Sequence, residues 1–541
     1  MKPDSTVGGY AVLAIALLVV LASVFLLSPF GGFAFTDDAI HSKNVLLTLK
    51  NGRFSLTGFE IVWHLPQIAV GVAVSKIAGF SFAAMKVIGI VSFAGCMVLL
   101  FFLLADAGVS RAGLLAALVA FAAYPPLYFI IPTFMTDLPF MFFWLGAILF
   151  WERYLASGRT MHAAAGFLFA VLAVLQRQNG LNLAFAVLVL PLVGFFFRPR
   201  RAEWKNFAVL AASGLLVLVS YFAVKAWWDA VAVHHKKAHV FMHPMLLADL
   251  AVNSVRALMY LGLACFPLAL LIRPSVRRSG RFVVGAALVL LVWVLWQGFA
   301  GNRMPYWSNI WSKYGLFNFD EVLLGGRPRI YGRFADWGLT LASWYGACGV
   351  MYSVAATLAR WKKQYAAGAT VPHGFFAMIV CSGCLVSLLL RGAVFDRYLI
   401  CVLPALYIVM AQTVREQRAL KSPRLGPALS IASAFALLLF SWTLEYDYLR
   451  WSEARETASA DATASGIDPR FLRAGFEWWP LHNDWPDNVS LVPLKHFKAV
   501  VAFSGLPGMK TVKTFSYRSI WPPHDRQMHL LLPDASSAAK Q

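Results

Sequence analysis

The sequence predicts an all-α polytopic membrane protein of about thirteen transmembrane helices, followed by a small C-terminal extracytoplasmic α/β domain. Of its 541 residues, 59% are hydrophobic and only 13% are charged, about half the charged share of an average soluble domain. The apolar residues form blocks of roughly 17 to 22 residues, the length that crosses about 30 Å of hydrocarbon. A soluble chain of this length could not bury so much apolar surface, because long chains divide into domains with polar exteriors.

The predicted spans follow directly from these apolar blocks. The first block is longer than the apolar region of a typical signal peptide, so we interpret it as a retained span. The stretch 66–79 is apolar but short and follows a proline, which predicts a helix lying at the interface. The spans lie at roughly 9–30, 82–105, 112–131, 138–153, 163–176, 181–197, 207–228, 256–272, 282–299, 337–358, 374–390, 398–413 and 427–444.

The distribution of charge predicts the orientation. The net charge is +21, and the basic residues cluster in short loops that alternate with loops rich in carboxylates, which argues against a nucleic-acid partner. Basic loops face the cytoplasm, so the acidic loops and, with an odd number of spans, the C-terminus face the outside of a bacterial cytoplasmic (inner) membrane. The basic loops are 198–205, 273–281, 359–363 and 415–424.

Two domains are expected. Residues 1–444 form the transmembrane domain, whose first external loop spans about 31–81, and residues 445–541 form the extracytoplasmic domain. In the latter, 451–467 is polar and helix-prone, whereas AVVAFSG, TVKTFSY and HLLLP are typical of short strands.

The first candidate site is the motif FTDDAIH, directly after the first span. Asp37 and Asp38 are adjacent carboxylates, and His41 lies one helical turn further on. One carboxylate can act as general base on an acceptor hydroxyl, while its neighbour holds a divalent cation or raises its partner's pKa by charge repulsion. The alternative is a helix N-cap, with Thr36 or Asp37 capping a helix that begins at Ala39.

Two further polar residues stand at predicted external positions. His64 precedes Pro66 in WHLPQ, where a histidine is usually structural. Asp137 lies in the very short external loop of YPPLYFIIPTFMTDLPF, so its carboxylate is expected at the mouth of the helix bundle. A second N-cap is the alternative for Asp137, since Pro139 falls in the first turn.

A possible metal site occurs in the run HHKKAHVFMH. Its histidines recur at intervals of four, which places them on one face of a helix and suits a metal; the residues are His235, His239 and His243. The same spacing is typical of an amphipathic interfacial helix. No cofactor follows from the sequence, and a divalent cation, if one is used, would be held by Asp37 and Asp38 or by these histidines.

The order of these motifs resembles the GT-C superfamily of glycosyltransferases. An acidic pair after the first span, H-x-P some 25 residues later and an external T-D-x-P are similar to bacterial members of families 39 and 83, relatives of protein O-mannosyltransferases and the lipid A aminoarabinose transferase. VFDRYLICVLPALY resembles the external "RY…P" element of those enzymes, and AGFEWWPL resembles a motif of their external tails. WHLPQ departs from the usual His-Pro-Pro run, and Asp-Asp stands where mannosyltransferases have Asp-Glu.

The resemblance implies inverting transfer of a sugar from a polyprenyl-phosphate donor to an extracytoplasmic acceptor, which is an envelope glycan, a lipid or a protein. The donor's lipid tail would lie among the spans and membrane lipids. Asp37, Asp38 and Asp137 would be catalytic, with His64 and Tyr398 in substrate binding. The leaving phosphate requires cationic donors, for which the external loops offer Lys236, Lys237, Arg327, Arg329, Arg333, Arg391 and Arg397. For any single one, contact with lipid headgroups is the alternative.

Other classes of membrane protein remain as alternatives. A transporter or a lipid or polysaccharide flippase would place ionisable residues near the bilayer midplane, whereas the acids here gather at one surface. A polysaccharide polymerase or ligase would be expected to carry a large external loop between late spans. A non-catalytic scaffold is the third alternative.

Overall fold

The computed structural model describes residues 3–57, 63–197, 201–231, 247–273, 276–307, 309–316, 325–326, 329–366, 372–390, 395–418, 425–483, 492–520 and 524–534. Helices dominate this part of the chain. They are α1 (Pro3–Leu26), α2 (Asp38–Asn51), α3 (Leu65–Ala78), α4 (Phe82–Asp106), α5 (Arg111–Ala123), α6 (Pro125–Ile130), α7 (Asp137–Ser157), α8 (Thr160–Gln176), α9 (Leu181–Phe197), α10 (Arg201–Val231), α11 (Leu247–Ala269), α12 (Val276–Phe299), α13 (Arg333–Ala366), α14 (Phe375–Leu390), α15 (Leu403–Arg418), α16 (Leu425–Ala464) and α17 (Trp478–His482).

The fold class expected from the sequence is confirmed. Every predicted span overlaps a helix, and in the described part of the chain seven helices are long and apolar enough to cross a bilayer. The predicted span 112–131 consists of two helices, α5 and α6. They separate at Tyr124, which takes an extended conformation because it precedes Pro125. The chain is a multi-pass membrane protein.

Small residues bring some of these helices unusually close together. A side chain at Gly346 in α13 would collide with the backbone carbonyl of Gly262 in α11, which is the close approach typical of helix packing in lipid. A side chain at Gly89 in α4 would likewise collide with the carbonyl of Thr133. This second contact holds the segment before α7 against α4, and that segment carries part of the site described below.

The C-terminal segment forms a four-stranded sheet on an extension of α16. The strands are β3 (Leu472–Arg473), β4 (Ala499–Ala502), β5 (Met509–Ser519) and β6 (His524–Pro533), in the order β3-β4-β6-β5; β3 and β4 are parallel and the other pairs antiparallel. These strands match the three predicted from sequence and add β3. A short antiparallel pair, β1 (Trp311–Ser312) and β2 (Gly315–Leu316), lies in the loop before α13.

Helix α16 joins the two predicted domains without a break. It is 40 residues long and extends past the predicted boundary at Glu445. Its extension packs on the sheet through Trp451 and Phe503, whose ring centroids are 5.4 Å apart. The Ser519 hydroxyl donates to the Asp447 carboxylate at 2.6 Å. The sheet is therefore held against the helix bundle by a rigid, continuous element.

Candidate active site

Asp37 forms an ion pair with an arginine that is 360 residues away in the sequence. Its Oδ2 atom lies 3.0 Å from Nη1 of Arg397. The two side chains are 27% and 11% exposed, so the pair lies at a partly accessible surface. Asp37 occupies the N-cap position of α2, but its carboxylate makes no capping hydrogen bond. The N-cap interpretation is therefore wrong for this side chain, which pairs with Arg397 instead.

Asp38, by contrast, is a buried structural carboxylate. Its Oδ1 accepts a hydrogen bond from the Phe134 amide at 2.6 Å, and its Oδ2 accepts one from the Phe35 amide at 3.3 Å. Burial raises the pKa of Asp38 to about 6, although the Lys86 ammonium and these two amides favour the charged form. Asp38 thus ties the loop after α1 to the segment before α7.

The lysine near Asp38 is itself buried in α4. The Lys86 ammonium donates to the carbonyls of Pro29 and Gly31 at 2.8 and 3.3 Å and lies 3.6 Å from the ring centroid of Phe35. Sequence analysis missed Lys86, although a lysine just inside an apolar span is a signal of a functional or structural role. Its contacts fix the chain immediately before the acidic pair.

A second ion pair lies beside the first. Asp137 opens α7 and pairs with Arg177, which follows α8; both side chains are about 9% exposed. Two guanidinium groups lie near the Tyr398 ring: its centroid is 5.0 Å from Cζ of Arg177 and 5.4 Å from Cζ of Arg397. Arg177 was not predicted. It stands in a four-residue loop between the predicted spans 163–176 and 181–197, and a short loop of this kind is the same signal that identified Asp137.

The side chains of Asp137, Arg177, Arg397 and Tyr398 line one pocket. Its polar wall combines a carboxylate, two guanidinium groups and a phenol, and its remaining wall is largely apolar. Nε of Arg397 is buried and has no hydrogen-bond partner among the described residues. The lining residues are Leu127, Ile130, Asp137, Leu138, Phe140, Met141, Arg177, Asn179, Arg397, Tyr398, Ile400 and Cys401.

The backbone of Arg397 is fixed by its neighbour Asp396. The Asp396 carboxylate accepts hydrogen bonds from the amides of Ile310, Trp311 and Arg397, at 3.2, 2.9 and 2.8 Å. The Tyr124 hydroxyl donates to the Asp396 carbonyl at 3.0 Å. Because Asp396 is occupied in this way, the Arg397 guanidinium pairs with Asp37 and not with its neighbour.

The other predicted binding residues do not line this pocket. His64 is fully buried, with its Nε2 atom 3.3 Å from Nδ2 of Asn44 and its ring centroid 4.7 Å from that of His41. Arg329 lies 3.5 Å from the Asp336 carboxylate. Several predicted residues lie outside the described residues: Lys236, Lys237, His235, His239, His243, Arg327 and Arg391.

The carboxylates of the acidic pair already have partners in this structure. Both oxygens of Asp38 accept backbone N–H groups and Asp37 faces a guanidinium, so a cation would have to displace Arg397. Within the described ranges, no group of three or more His, Cys, Asp or Glu side chains could hold a metal ion.

The C-terminal segment reaches the same site. Glu477, inside the AGFEWWPL motif, accepts a hydrogen bond from the Thr36 amide at 3.4 Å. Its carboxylate is also held by Arg455 at 2.5 Å and by the Tyr448 hydroxyl at 3.2 Å, both from α16. The motif was noted in the sequence, but its contact with the residue next to Asp37 was not expected.

Thr36 itself has a strained backbone. Its φ angle is +53°, in the left-handed region that costs an L-residue about 1–2 kcal/mol and is a genuine outlier for a β-branched side chain. The residue is fully buried, and its hydroxyl donates to the Met135 sulfur at 3.0 Å. Strain of this kind persists only where the surroundings enforce it.

Comparisons with known proteins give structural matches alone. No protein-family model matches the chain, and the search of curated proteins gives no match. Among solved structures, the chain is similar to ArnT from Cupriavidus metallidurans in the apo state (13% identity, 95% of this chain and 97% of that chain covered, TM-score 0.39). For the same protein bound to undecaprenyl phosphate, the identity is 12%, the match covers 98% of this chain and 98% of that chain, and the TM-score is 0.35.

A third match is the archaeal oligosaccharyltransferase AglB from Archaeoglobus fulgidus, in complex with an inhibitory peptide and a dolichol-phosphate. The identity is 14% and the TM-score 0.40; the match covers 89% of this chain and 60% of that chain. Identities and TM-scores this low carry no inference about function.

Proposed function

We propose that this protein is an inverting glycosyltransferase that moves a sugar from a polyprenyl-phosphate donor to an extracytoplasmic acceptor, an envelope glycan, lipid or protein. One observation carries the proposal: the Asp37–Arg397 pair adjoins a pocket that also contains Asp137, Arg177 and Tyr398. By the predicted topology, Asp37, Asp137, Arg177 and Arg397 belong to external segments of a bacterial cytoplasmic membrane protein, and Tyr398 is the first residue of the span that follows Arg397. The site would therefore lie where a lipid-linked phosphate meets water.

Asp37 is the residue best suited to act as general base. Its Oδ2 is paired with Arg397, whereas Oδ1 has no hydrogen bond among the described residues, so it can approach an acceptor hydroxyl. The hydroxyl oxygen attacks the anomeric carbon as the bond from that carbon to the phosphate oxygen breaks. The electron pair leaves with the polyprenyl phosphate, and the hydroxyl proton passes to Asp37.

Arg397 and Arg177 stabilise the negative charge of the leaving phosphate. The transition state has oxocarbenium character, and negative charge grows on the departing phosphate as the sugar leaves. Nε of Arg397 has no hydrogen-bond partner among the described residues, and the Arg177 guanidinium lies near the same Tyr398 ring. Guanidinium groups bind phosphate through paired, charge-assisted hydrogen bonds.

Asp137 then has a positioning role. It is paired with Arg177 at the first turn of α7, and removing one partner of a buried pair leaves an uncompensated charge. In this arrangement Asp137 orients Arg177 toward the pocket and keeps two nearby guanidinium groups from repelling each other. It need not take a proton.

The test is a transfer reaction with purified protein in liposomes. A panel of polyprenyl-phosphate sugars is supplied with envelope lipid, glycan and protein fractions, and the products are identified by mass. The matched control is Asp106→Asn, which alters an exposed ion pair with Arg153 at the opposite end of α4 and should leave transfer unchanged. A transporter or flippase would instead move labelled lipid across the bilayer without forming a glycosylated product.

A further inference from the structure

The structure points to Glu477 as a positioning residue for Asp37, which makes the C-terminal segment a part of the active site; this inference rests on the proposed function. Glu477 is 1% exposed and stands at the start of α17. It contacts Thr36, the residue that immediately precedes the base, through the Thr36 amide. It touches no reacting group and acts only through Thr36.

The contact between Glu477 and the Thr36 amide fixes the direction in which the Asp37 side chain projects from the backbone. Thr36 is held in the left-handed region, at a φ of +53°, from which a threonine relaxes readily to an extended conformation. Such a relaxation would rotate the following peptide and carry the Asp37 carboxylate away from Arg397. The Thr36 amide bonded to Glu477 and the Thr36 hydroxyl on Met135 oppose it.

Glu477 is in turn fixed by the extension of α16. Arg455 is fully buried and holds Oε2 of Glu477 at 2.5 Å, while the buried Tyr448 donates to Oε1 at 3.2 Å. Arg455 also pairs with Glu456 at 2.9 Å. Because α16 is continuous with the helix bundle, it transmits a fixed position from the bundle to Glu477, and from Glu477 to the loop that carries the base.

A second contact clamps the same segment to α2. The Lys43 ammonium donates to the Asn483 carbonyl, at the end of α17, at 2.9 Å. The chain after the acidic pair therefore contacts the C-terminal end of α17 through Lys43. The chain before the pair contacts the N-terminal end of α17 through Thr36 and Glu477. Two separate attachments on either side of Asp37 indicate that the C-terminal segment restrains this loop and does not merely rest on it.

The experiment compares Glu477→Ala, Glu477→Gln and the control Glu453→Gln in the full-length protein. Glutamine keeps a carbonyl oxygen that can accept the Thr36 N–H, whereas alanine cannot. Glu453 lies on the same extension but forms an exposed pair with Arg450. We expect Glu477→Ala to lower kcat by about tenfold or more, with the donor KM changed less than about threefold, because the base moves while the phosphate pocket is kept. Glu477→Gln should retain kcat within about threefold of the wild type.

An independent readout is amide hydrogen exchange of residues 33–39, which reports local opening without any reaction. Exchange should accelerate in Glu477→Ala and stay unchanged in Glu453→Gln. Equal losses of kcat in the alanine and glutamine variants would trace the effect to an unpaired Arg455 and overturn the inference. So would accelerated exchange with unchanged kcat, or unchanged exchange in Glu477→Ala. A wild-type protein that transfers no sugar would instead refute the proposed function itself.

Discussion

Replacing Asp37 and Asp38 separately by asparagine distinguishes catalysis from structure at the acidic pair. Asp37→Asn removes the proton acceptor but barely changes the shape of the side chain. A general base of this kind contributes typically 10²–10⁴-fold to the rate, so we expect transfer to fall by about 10² or more. Asparagine keeps a carbonyl oxygen that can still accept a hydrogen bond from the Arg397 guanidinium, so we expect near-normal stability.

Asp38→Asn should show the opposite pattern. The two oxygens of the Asp38 carboxylate each accept a hydrogen bond from a buried backbone N–H, of Phe134 and of Phe35. Asparagine replaces one of these oxygens by an NH₂ group, which cannot accept a hydrogen bond. One buried N–H is left without a partner, which costs about 1–3 kcal/mol. The variant should therefore melt at a clearly lower temperature. Whatever loss of activity it shows should follow from the displaced loop, not from a missing base.

The assay measures product formation and detergent melting temperature on the same preparations. Asp37→Asn is expected to be inactive with near-normal stability, and Asp38→Asn to be destabilised with part of its activity retained. Full activity of Asp37→Asn would remove Asp37 as the base. An inactive Asp38→Asn with unchanged melting temperature would show that the two roles have been assigned the wrong way round.

Three further predictions follow from the same contacts and from the topology. Arg397→Ala should raise the apparent donor KM or slow turnover at least about tenfold, since a charge-assisted hydrogen bond contributes about 1.5–3 kcal/mol; unchanged kinetics would reduce Arg397 to a structural partner of Asp37. The pKa of Asp38 is about 6 in the folded protein, above its ordinary value of 3.8, so the folded state binds this proton more tightly than the unfolded chain. The contribution of Asp38 to stability therefore grows as the pH falls from about 6 to about 4, and the melting-temperature difference between wild type and Asp38→Asn should widen over that range; a constant difference would contradict it. Reporter fusions after Lys421 and Ser465 should report opposite sides of the membrane, and the same side for both would refute the predicted orientation.

The sequence by itself determined the class of molecule and the position of its spans. Blocks of apolar residues with almost no internal charge have one stable solution in lipid, the helix, because every backbone polar group must be satisfied within the segment. The three C-terminal strands were also predictable from their local pattern. So was the location of candidate groups: Asp37 and Asp137 stand at span ends, and the length of a span places its ends at the membrane surface.

The tertiary structure alone decided which of these groups lie together. The two adjacent carboxylates are equivalent in sequence, but packing buries Asp38 among backbone amides and leaves Asp37 partly exposed beside Arg397. The partner of Asp37 is 360 residues away and Glu477 is 441 residues from Thr36. Local periodicity and spacing fix helices, whereas the choice of partner depends on how those helices pack, and that packing is what joins the first loop, the late span and the C-terminal segment into one site.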